Sequence, residues 1–195
     1  MQLVLASSSP YRRELLTRLS VPFSWQPPEV DESMRLGESP SELAIRLSQE
    51  KAHALISAFP EHLIIGSDQV AVHNNELISK PYTHEKARQQ LLRFSEQSVY
   101  FLSALCVHNS LLNTFTSAVV HTEVHFRKLG SDEIDRYLTH EQPYDCVGSF
   151  KAEGLGIALF SKITSDDPTA IIGLPMIKLC QMLSEHGYEI IDNIV

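Results

Sequence analysis

Continuous apolar runs alternate with stretches whose apolar residues recur at helical spacing, and this pattern predicts the elements of the chain. Residues 2–6 are typical of a buried strand, and residues 63–68 form a second such run that ends in Gly-Ser-Asp. Several prolines and Gly37 predict an irregular connection over 21–38. Helices are predicted at 10–19, 39–58, 84–95, 131–140 and 175–187, strands at 98–108, 114–127 and 156–163, and a hairpin with arms at 69–73 and 76–79.

The turn after the first strand predicts a helix N-terminus that can bind an anion. Ser9 stands at the N-cap position, and Pro10 occupies the first helical position. Arg12 and Arg13 follow in the first turn, where a positive charge opposes the helix dipole. Together with Ser7 and the backbone N–H groups, they form a set suited to phosphate. The alternative is an ordinary capped helix with solvated arginines.

Lys51 interrupts the apolar stripe of the helix predicted for residues 39–58. The stripe consists of small and aliphatic residues, namely Leu43, Ala44, Leu47, Ala54, Leu55 and Ala58. A lysine in such a stripe either extends its ammonium group to water or meets a fixed anion. The sequence predicts that a Lys51→Met variant folds well, or more stably than the wild type, yet binds triphosphate poorly.

Carboxylates occur at two further places that matter for chemistry. Residues 29–32 form an acidic patch, and Asp68 ends the second buried strand, where open α/β sheets bind ligands. Clustered carboxylates bind hard divalent cations, and a carboxylate can also activate water. With Lys51 and Lys80 as phosphate ligands, these are the parts needed for metal-assisted hydrolysis of a phosphoanhydride. A solvated acidic loop and a capping aspartate are the alternatives.

Composition limits the kinds of partner that the protein can be expected to bind and the cellular compartment in which it is expected. The net charge of −8 disfavours binding to a nucleic-acid polymer, because such binding requires a basic surface. No apolar run reaches the roughly 18 residues of a membrane span, and no signal-peptide pattern is present. The three cysteines are far apart and lack metal-site spacing, so reduced thiols in a cytoplasm are expected.

Taken in order, these motifs resemble the Maf family of nucleoside triphosphate pyrophosphatases over nearly the whole chain. The matching segments are Ala6-Ser7-Ser8-Ser9-Pro10-Tyr11-Arg12-Arg13, Glu29-Val30-Asp31-Glu32, Lys51-Ala52, Gly66-Ser67-Asp68-Gln69-Val70, Lys80-Pro81, Gly148-Ser149-Phe150-Lys151-Ala152-Glu153-Gly154 and Gly173-Leu174-Pro175. The ordered set is far more specific than any single segment.

The resemblance implies an α/β fold with an elongated mixed β-sheet flanked by helices, and two lobes with a central cleft, similar to inosine triphosphatase. Residues 1–195 are then expected to form a single Maf-like domain. The resemblance also implies hydrolysis of a nucleotide between its α- and β-phosphates, a divalent metal cation (Mg, Mn or Co) and a homodimer. In the family the aspartate of the Gly-Ser-Asp motif, here Asp68, is the proton acceptor.

Three positions separate the branches of the family. The dTTP/UTP branch carries Arg, Thr and Gln where this chain has Tyr11, Gln69 and Glu153. The 7-methyl-GTP branch carries an aromatic residue, usually Trp, with Gln and Glu. The chemistry agrees, since an aromatic ring stacks on the cationic 7-methylguanine and a carboxylate accepts hydrogen bonds from both N–H donors of its edge.

The sequence therefore predicts a cytoplasmic, metal-dependent enzyme that clears 7-methyl-GTP by releasing pyrophosphate. The residues assigned to phosphate binding are Ser7, Ser9, Arg12, Arg13, Lys51 and Lys80. Glu32 and Asp68 are assigned to the metal, and Asp68 also to catalysis. The alternatives are a pyrophosphatase for dTTP, UTP or another modified nucleotide, and a nucleotide-binding regulator of cell division or septum formation with little turnover.

Overall fold

The computed structural model describes residues 1–195, which form seven β-strands and five α-helices. In chain order these are β1 (Gln2–Ala6), α1 (Pro10–Thr17), β2 (Phe23–Gln26), α2 (Pro40–His53), β3 (His62–His73), β4 (Glu76–Ile78), α3 (His84–Phe94), β5 (Ser98–Asn109), β6 (Thr114–Phe126), α4 (Ser131–Glu141), β7 (Phe160–Ser165) and α5 (Met176–Glu185). Short 3₁₀ turns cover Leu155–Leu159, Ala170–Ile172 and Ile191–Asn193. None of the helices combines the length and apolarity needed to cross a membrane.

The strands form one mixed sheet. β1 pairs in parallel with both β2 and β3, whereas β4 pairs antiparallel with β3 and β7 antiparallel with β6. Hydrogen-bonded neighbours follow the order β2-β1-β3-β5-β6-β7, and β4 lies beside β3 off this path. This mixed sheet with its helices confirms the α/β fold class.

The chain divides into two compact units. The first comprises residues 1–69, 102–120 and 167–195, and the second comprises residues 70–101 and 121–166. Strands β3, β5 and β6 contribute residues to both units. The expectation of a single domain over 1–195 stays a prediction.

The first unit buries β1 on both faces, which explains its uninterrupted apolar sequence. Successive side chains of a strand point to opposite faces. Leu3 and Leu5 accordingly pack in one cluster, with Leu15 and Leu16 of α1 and Leu179, Met182 and Leu183 of α5. Val4 and Ala6 pack in a second cluster with Ala52 of α2. The sheet therefore holds α2 on one face and α1 and α5 on the other.

The second unit has an aromatic core. Five phenylalanines, Phe94, Phe101, Phe126, Phe150 and Phe160, lie with neighbouring ring centroids 4.8–5.7 Å apart. Most of these pairs meet edge to face, the geometry that the ring quadrupoles favour. Arg88 of α3 donates a 2.8 Å hydrogen bond to Asp135 of α4 and joins the two helices.

The helix starts agree with the sequence, and three strand predictions were wrong. Ser9 caps α1 ahead of Pro10, as predicted. The connection at 21–38 contains β2, which pairs with β1. The predicted break after Asp68 is absent, because β3 continues to His73 and there pairs with β4. Residues 155–159 form a 3₁₀ turn, and the strand begins only at Phe160; in this turn Gly156 lies so close to the Lys151 carbonyl that a Cβ atom there would be 2.3 Å from its oxygen.

Candidate active site

Three chain segments that carry candidate site residues lie at one level of the sheet in the first unit, just beyond the ends of β1 and β2 and within β3. Ala6, the last residue of β1, is in register with Gln26 at the end of β2 and with Gly66 of β3. Because all three strands are parallel, the residues that follow them emerge at the same level. These segments are Ser7–Pro10, the acidic loop at 27–38, and Ser67–Gln69. The observed β2 therefore brings the acidic patch to the other two.

Gly66 lets helix α2 approach this edge closely. A Cβ atom at Gly66 would lie 2.1 Å from the Ser48 carbonyl oxygen and 2.8 Å from the Ala52 backbone nitrogen. Only a residue without a side chain fits such a contact between strand and helix. Lys51, which precedes Ala52, is thereby held above the strand that carries Asp68.

Lys51 lies between two carboxylates. Its Nζ donates to Asp68 Oδ1 at 2.6 Å and lies 2.7 Å from Glu32 Oε1. The Lys51 and Asp68 side chains retain 9% and 11% of their exposure, whereas Glu32 retains 63%. Of the two alternatives that the sequence left open, Lys51 therefore contacts an anion, here a carboxylate, and does not extend its ammonium group to water. Buried charges of this kind are retained in proteins only when they are paired.

Arg12 belongs to the same group of charges. Its Nε donates a 2.8 Å hydrogen bond to the Gly173 carbonyl oxygen. Burial lowers the pKa of the Arg12 guanidinium, and the negative charges of Asp68 and Glu32 oppose this shift. An arginine nevertheless stays protonated, so the site contains two fixed cations, Arg12 and Lys51, next to two carboxylates.

The start of α1 is a helix N-terminus capped by serine side chains. Ser9 Oγ accepts a hydrogen bond from the Arg12 backbone N–H at 3.3 Å, and Ser7 Oγ accepts one from the Ser9 N–H at 3.1 Å. No acidic side chain stands in the first turn. The positive end of the helix dipole is thus not neutralised within the helix itself.

A turn at 170–173 is fastened to the strands beside this group. The Gly173 carbonyl oxygen accepts a hydrogen bond from Ser67 Oγ at 3.0 Å as well as that from Arg12. Gln69 Nε2 donates to the Ala170 carbonyl oxygen at 2.9 Å. It also lies within hydrogen-bond distance of Ser103 Oγ and the Ile171 carbonyl oxygen. The amide nitrogen of Gln69 is therefore engaged by the protein, and its role in base selection stays a prediction.

Arg13 points to a different surface from Arg12. Its guanidinium lies over the Trp25 ring, 3.9 Å from the ring centroid, in a cation–π contact. Trp25 belongs to β2 and is half-exposed. Arg13 therefore joins α1 to the edge strand, and its assignment to phosphate stays a prediction.

Lys80 and Glu153 belong to the second unit, and both are exposed. The loop that carries Glu153 is rigidly held: Lys151 Nζ donates to the Glu141 carbonyl oxygen at 3.1 Å, and the Leu155 N–H donates to Glu141 Oε2 at 3.0 Å. The roles of Lys80 in phosphate binding and of Glu153 in base selection stay predictions. Tyr11, on the first turn of α1, is partly buried, and its role in stacking stays a prediction as well.

The donor set fits a divalent cation. Asp68 and Glu32 supply hard carboxylate oxygens that converge on one positive charge, that of Lys51. No group of three or more histidine, cysteine or acidic side chains is arranged to hold a metal. Mg²⁺ typically binds through one or two carboxylates, with substrate phosphates and water completing the shell, and this pair matches that pattern.

Two contributors to the site were missed by the sequence reasoning. Arg46 contacts the acidic loop, and the signal for it was present, since an arginine stands in α2 five residues before Lys51. The other contributor is the Gly173 carbonyl, a backbone group that every residue type carries, so the sequence could not predict its part in the site. Gly173 has φ +114°, a value that explains the glycine but does not reveal which side chains its carbonyl receives.

Comparison with known proteins gives a consistent result. A family model described as Maf-like protein matches residues 2–186. A 7-methyl-GTP pyrophosphatase of Pseudomonas aeruginosa is 53% identical over 188 residues, covering 96% of this chain and 98% of its own. Proteins of the same name from Methylobacillus flagellatus and Pseudomonas fluorescens are 51% and 55% identical, covering 97% and 96% of this chain and 98% and 97% of their own. Among solved structures, the Staphylococcus aureus Ham1 protein covers 96% of this chain and 100% of its own at 14% identity and a TM-score of 0.47, too low to carry an argument.

Proposed function

This chain belongs to the Maf family, and we propose that it is a nucleoside triphosphate pyrophosphatase that hydrolyses 7-methyl-GTP to 7-methyl-GMP and pyrophosphate. The observation that carries the proposal is the placement of Lys51 between Asp68 and Glu32, with Arg12 held beside them. Relatives that are 51–55% identical over nearly the whole chain bear the name of this activity and support the choice of substrate.

The triphosphate is assigned to the cations of this group and to the start of α1. Arg12 and Lys51 provide fixed positive charges, and the start of α1 provides the positive end of a helix dipole. Lys80 of the second unit is proposed to contact the same phosphates. Arg13 has a secondary part, because its guanidinium is already engaged on Trp25.

Asp68 is assigned as the proton acceptor for the attacking water. Lys51 Nζ donates to its Oδ1 atom at 2.6 Å, and its Oδ2 atom is the oxygen assigned to the water. The reaction breaks the anhydride bond between the α- and β-phosphorus atoms. The water oxygen then stays on one product, its proton passes to Asp68, and pyrophosphate leaves.

A divalent cation is assigned to the carboxylates of Glu32 and Asp68. When bound, such an ion supplies charge neutralisation for the phosphate oxygens. Magnesium, manganese and cobalt are all candidates for this position.

The base is assigned to Tyr11, Gln69 and Glu153. Stacking on Tyr11 would favour the cationic 7-methylguanine ring, and Glu153 would accept hydrogen bonds from its N–H donors. Gln69 offers its carbonyl oxygen and also fastens the turn at 170–172. The triple change Tyr11→Arg, Gln69→Thr and Glu153→Gln is therefore expected to shift preference towards dTTP and UTP.

A nucleotide panel tests the proposal. 7-methyl-GTP, GTP, dTTP and UTP are each incubated with the purified protein and MgCl₂, and the products are separated by ion-exchange chromatography. The expected products are 7-methyl-GMP and pyrophosphate, with activity lost in EDTA. Nucleoside diphosphate with orthophosphate would refute the cleavage position, and preference for dTTP or UTP would refute the base assignment. Binding without turnover would favour the regulator of cell division instead.

Two further parts of the proposal come from the family resemblance. The protein is proposed to act in the cytoplasm and to form a homodimer. Size-exclusion chromatography with light scattering tests the second part, where a mass of one chain at micromolar concentration would refute it.

A further inference from the structure

The acidic loop that carries Glu32 has no regular secondary structure of its own between β2 and α2. Its Glu32 side chain is 63% exposed and reaches inward only at its carboxylate, which contacts Lys51. A loop of this kind would hold a metal ligand loosely unless another contact fixed the backbone near Glu32.

Arg46 of α2 supplies that contact. Its Nη2 donates to the Ser33 carbonyl oxygen at 2.9 Å, and Ser33 directly follows Glu32. The same guanidinium holds Glu38 with two bonds, from Nε to Oε1 at 2.6 Å and from Nη2 to Oε2 at 2.9 Å. Its Nη1 reaches Glu50 Oε2 at 2.9 Å. Arg46 therefore fastens both the middle and the end of the loop to the helix.

The network around Arg46 is closed, and its central ion pair with Glu38 is shielded from water. Glu50 also accepts a hydrogen bond from Arg35, and the Arg35 backbone N–H donates to Glu38. The side chains of Arg46 and Glu38 retain only 12% and 8% of their exposure. A shielded, bidentate arginine–carboxylate pair within a network holds its geometry far better than an isolated surface ion pair.

We propose that Arg46 is a positioning residue that holds Glu32 over Lys51 and Asp68. Arg46 and Lys51 lie on the same helix, so the anchor of the loop and the cation that Glu32 contacts are fixed to one rigid element. The role of Glu32 towards a divalent cation rests on the proposed function. The anchoring of the loop does not depend on it, and each can be tested separately.

Limited proteolysis tests the anchoring. Arg35 is the only lysine or arginine in residues 27–38, so trypsin cuts the loop at one place. In Arg46→Met we expect cleavage after Arg35 to be about tenfold faster or more, with other sites unchanged, because local opening controls the rate. The matched control is Arg18→Met, which removes an arginine from an exposed pair with Glu14 in the same unit. An unchanged rate in Arg46→Met, or faster cleavage at all sites, would overturn the anchoring.

Kinetics test whether the anchor acts through Glu32. In Arg46→Met the MgCl₂ concentration for half-maximal pyrophosphate release should rise about tenfold. Arg46→Lys keeps one hydrogen bond, so its half-maximal MgCl₂ concentration should lie between those of the wild type and Arg46→Met. If the substitution only reduced the fraction of folded enzyme, maximal activity would fall, but the MgCl₂ concentration for half-maximal activity would stay the same. In a Glu32→Gln background, Arg46→Met should cause no further loss of kcat/KM, because the two residues act on one interaction.

The outcomes separate the two hypotheses. Additive losses in the double variant would refute the positioning role of Arg46 even if the enzyme is active. Absence of pyrophosphate release by the wild type would refute the proposed function, and the trypsin comparison would still decide whether Arg46 anchors the loop.

Discussion

Replacing Lys51 by methionine removes the central cation of the site while keeping a side chain of similar length. In the apolar stripe of α2 alone, methionine would fit well. The structure predicts the opposite outcome for stability, since Lys51 is 7% exposed and lies 2.6 Å from the buried carboxylate of Asp68. The substitution leaves that carboxylate without its nearest partner.

The magnitude follows from the burial of each pair. Breaking a buried ion pair by removing one partner costs about 3–5 kcal/mol. The contact with Glu32 contributes at most about 1 kcal/mol, because that side chain is largely exposed. Arg12 remains as a second cation near Asp68, so we expect the lower end, about 3 kcal/mol. For a chain of this size, that corresponds to a fall in Tm of roughly 6–12 °C.

Chemical denaturation followed by far-UV circular dichroism measures the free energy of unfolding. The matched control is Lys162→Met, at an exposed position of β7, which should change stability by less than about 0.5 kcal/mol. Adding Asp68→Asn to Lys51→Met should recover part of the loss, with a coupling of about 1–3 kcal/mol. A Lys51→Met protein as stable as the wild type, or no recovery in the double variant, would refute the paired arrangement.

Three further predictions concern catalysis, base selection and pH. Asp68→Asn should lower kcat about a hundredfold or more with an unchanged circular dichroism spectrum, and near-normal turnover would contradict its role as proton acceptor. Glu153→Gln should reduce the kcat/KM preference for 7-methyl-GTP over UTP about tenfold, because a lost hydrogen bond to a charged group costs about 1.5–3 kcal/mol; unchanged ratios would remove Glu153 from the base site. The hydrogen bond from Arg46 lowers the pKa of Glu38 from 4.5 to about 2, so this group stabilises the fold above pH 4.5 and the stability is lost as the pH falls towards 2. Denaturation at several pH values should show a smaller loss over that range in Glu38→Gln, and identical pH profiles would contradict this linkage.

Local signals in the sequence predicted the parts of the site that depend on neighbouring residues. The N-cap at Ser9 bonds to the backbone N–H three residues later, so residue types at a fixed spacing were sufficient to predict it. The unusual position of Lys51 was also visible, because the apolar stripe of a helix has a fixed period.

The parts that were missed depend on pairing between distant segments. Phe23–Gln26 is short, with alternating aromatic and polar residues that could have indicated a strand, but the prolines on both sides of it and the acidic patch after it favoured a loop. It becomes β2 because β1 offers a partner edge. The continuation of β3 past Asp68 similarly depends on β4, which pairs with His73 and its neighbours. No local propensity distinguishes such a continuation from a hairpin arm.

The arrangement around Lys51 explains how the charges of the site coexist without a ligand. The proposed function assigns Arg12 and Lys51 to the triphosphate and Asp68 and Glu32 to a divalent cation, and these four groups offset one another's charge. On the proposed function, the metal and the nucleotide must then bind as a pair. The ion would take over the carboxylates as the phosphates take over Lys51, so that no charge is left buried and unpaired. This requirement predicts that Mg²⁺ and nucleotide bind cooperatively. Calorimetry with a non-hydrolysable triphosphate, titrated with and without Mg²⁺, measures the coupling directly, and equal nucleotide affinities in the two titrations would contradict this exchange of partners.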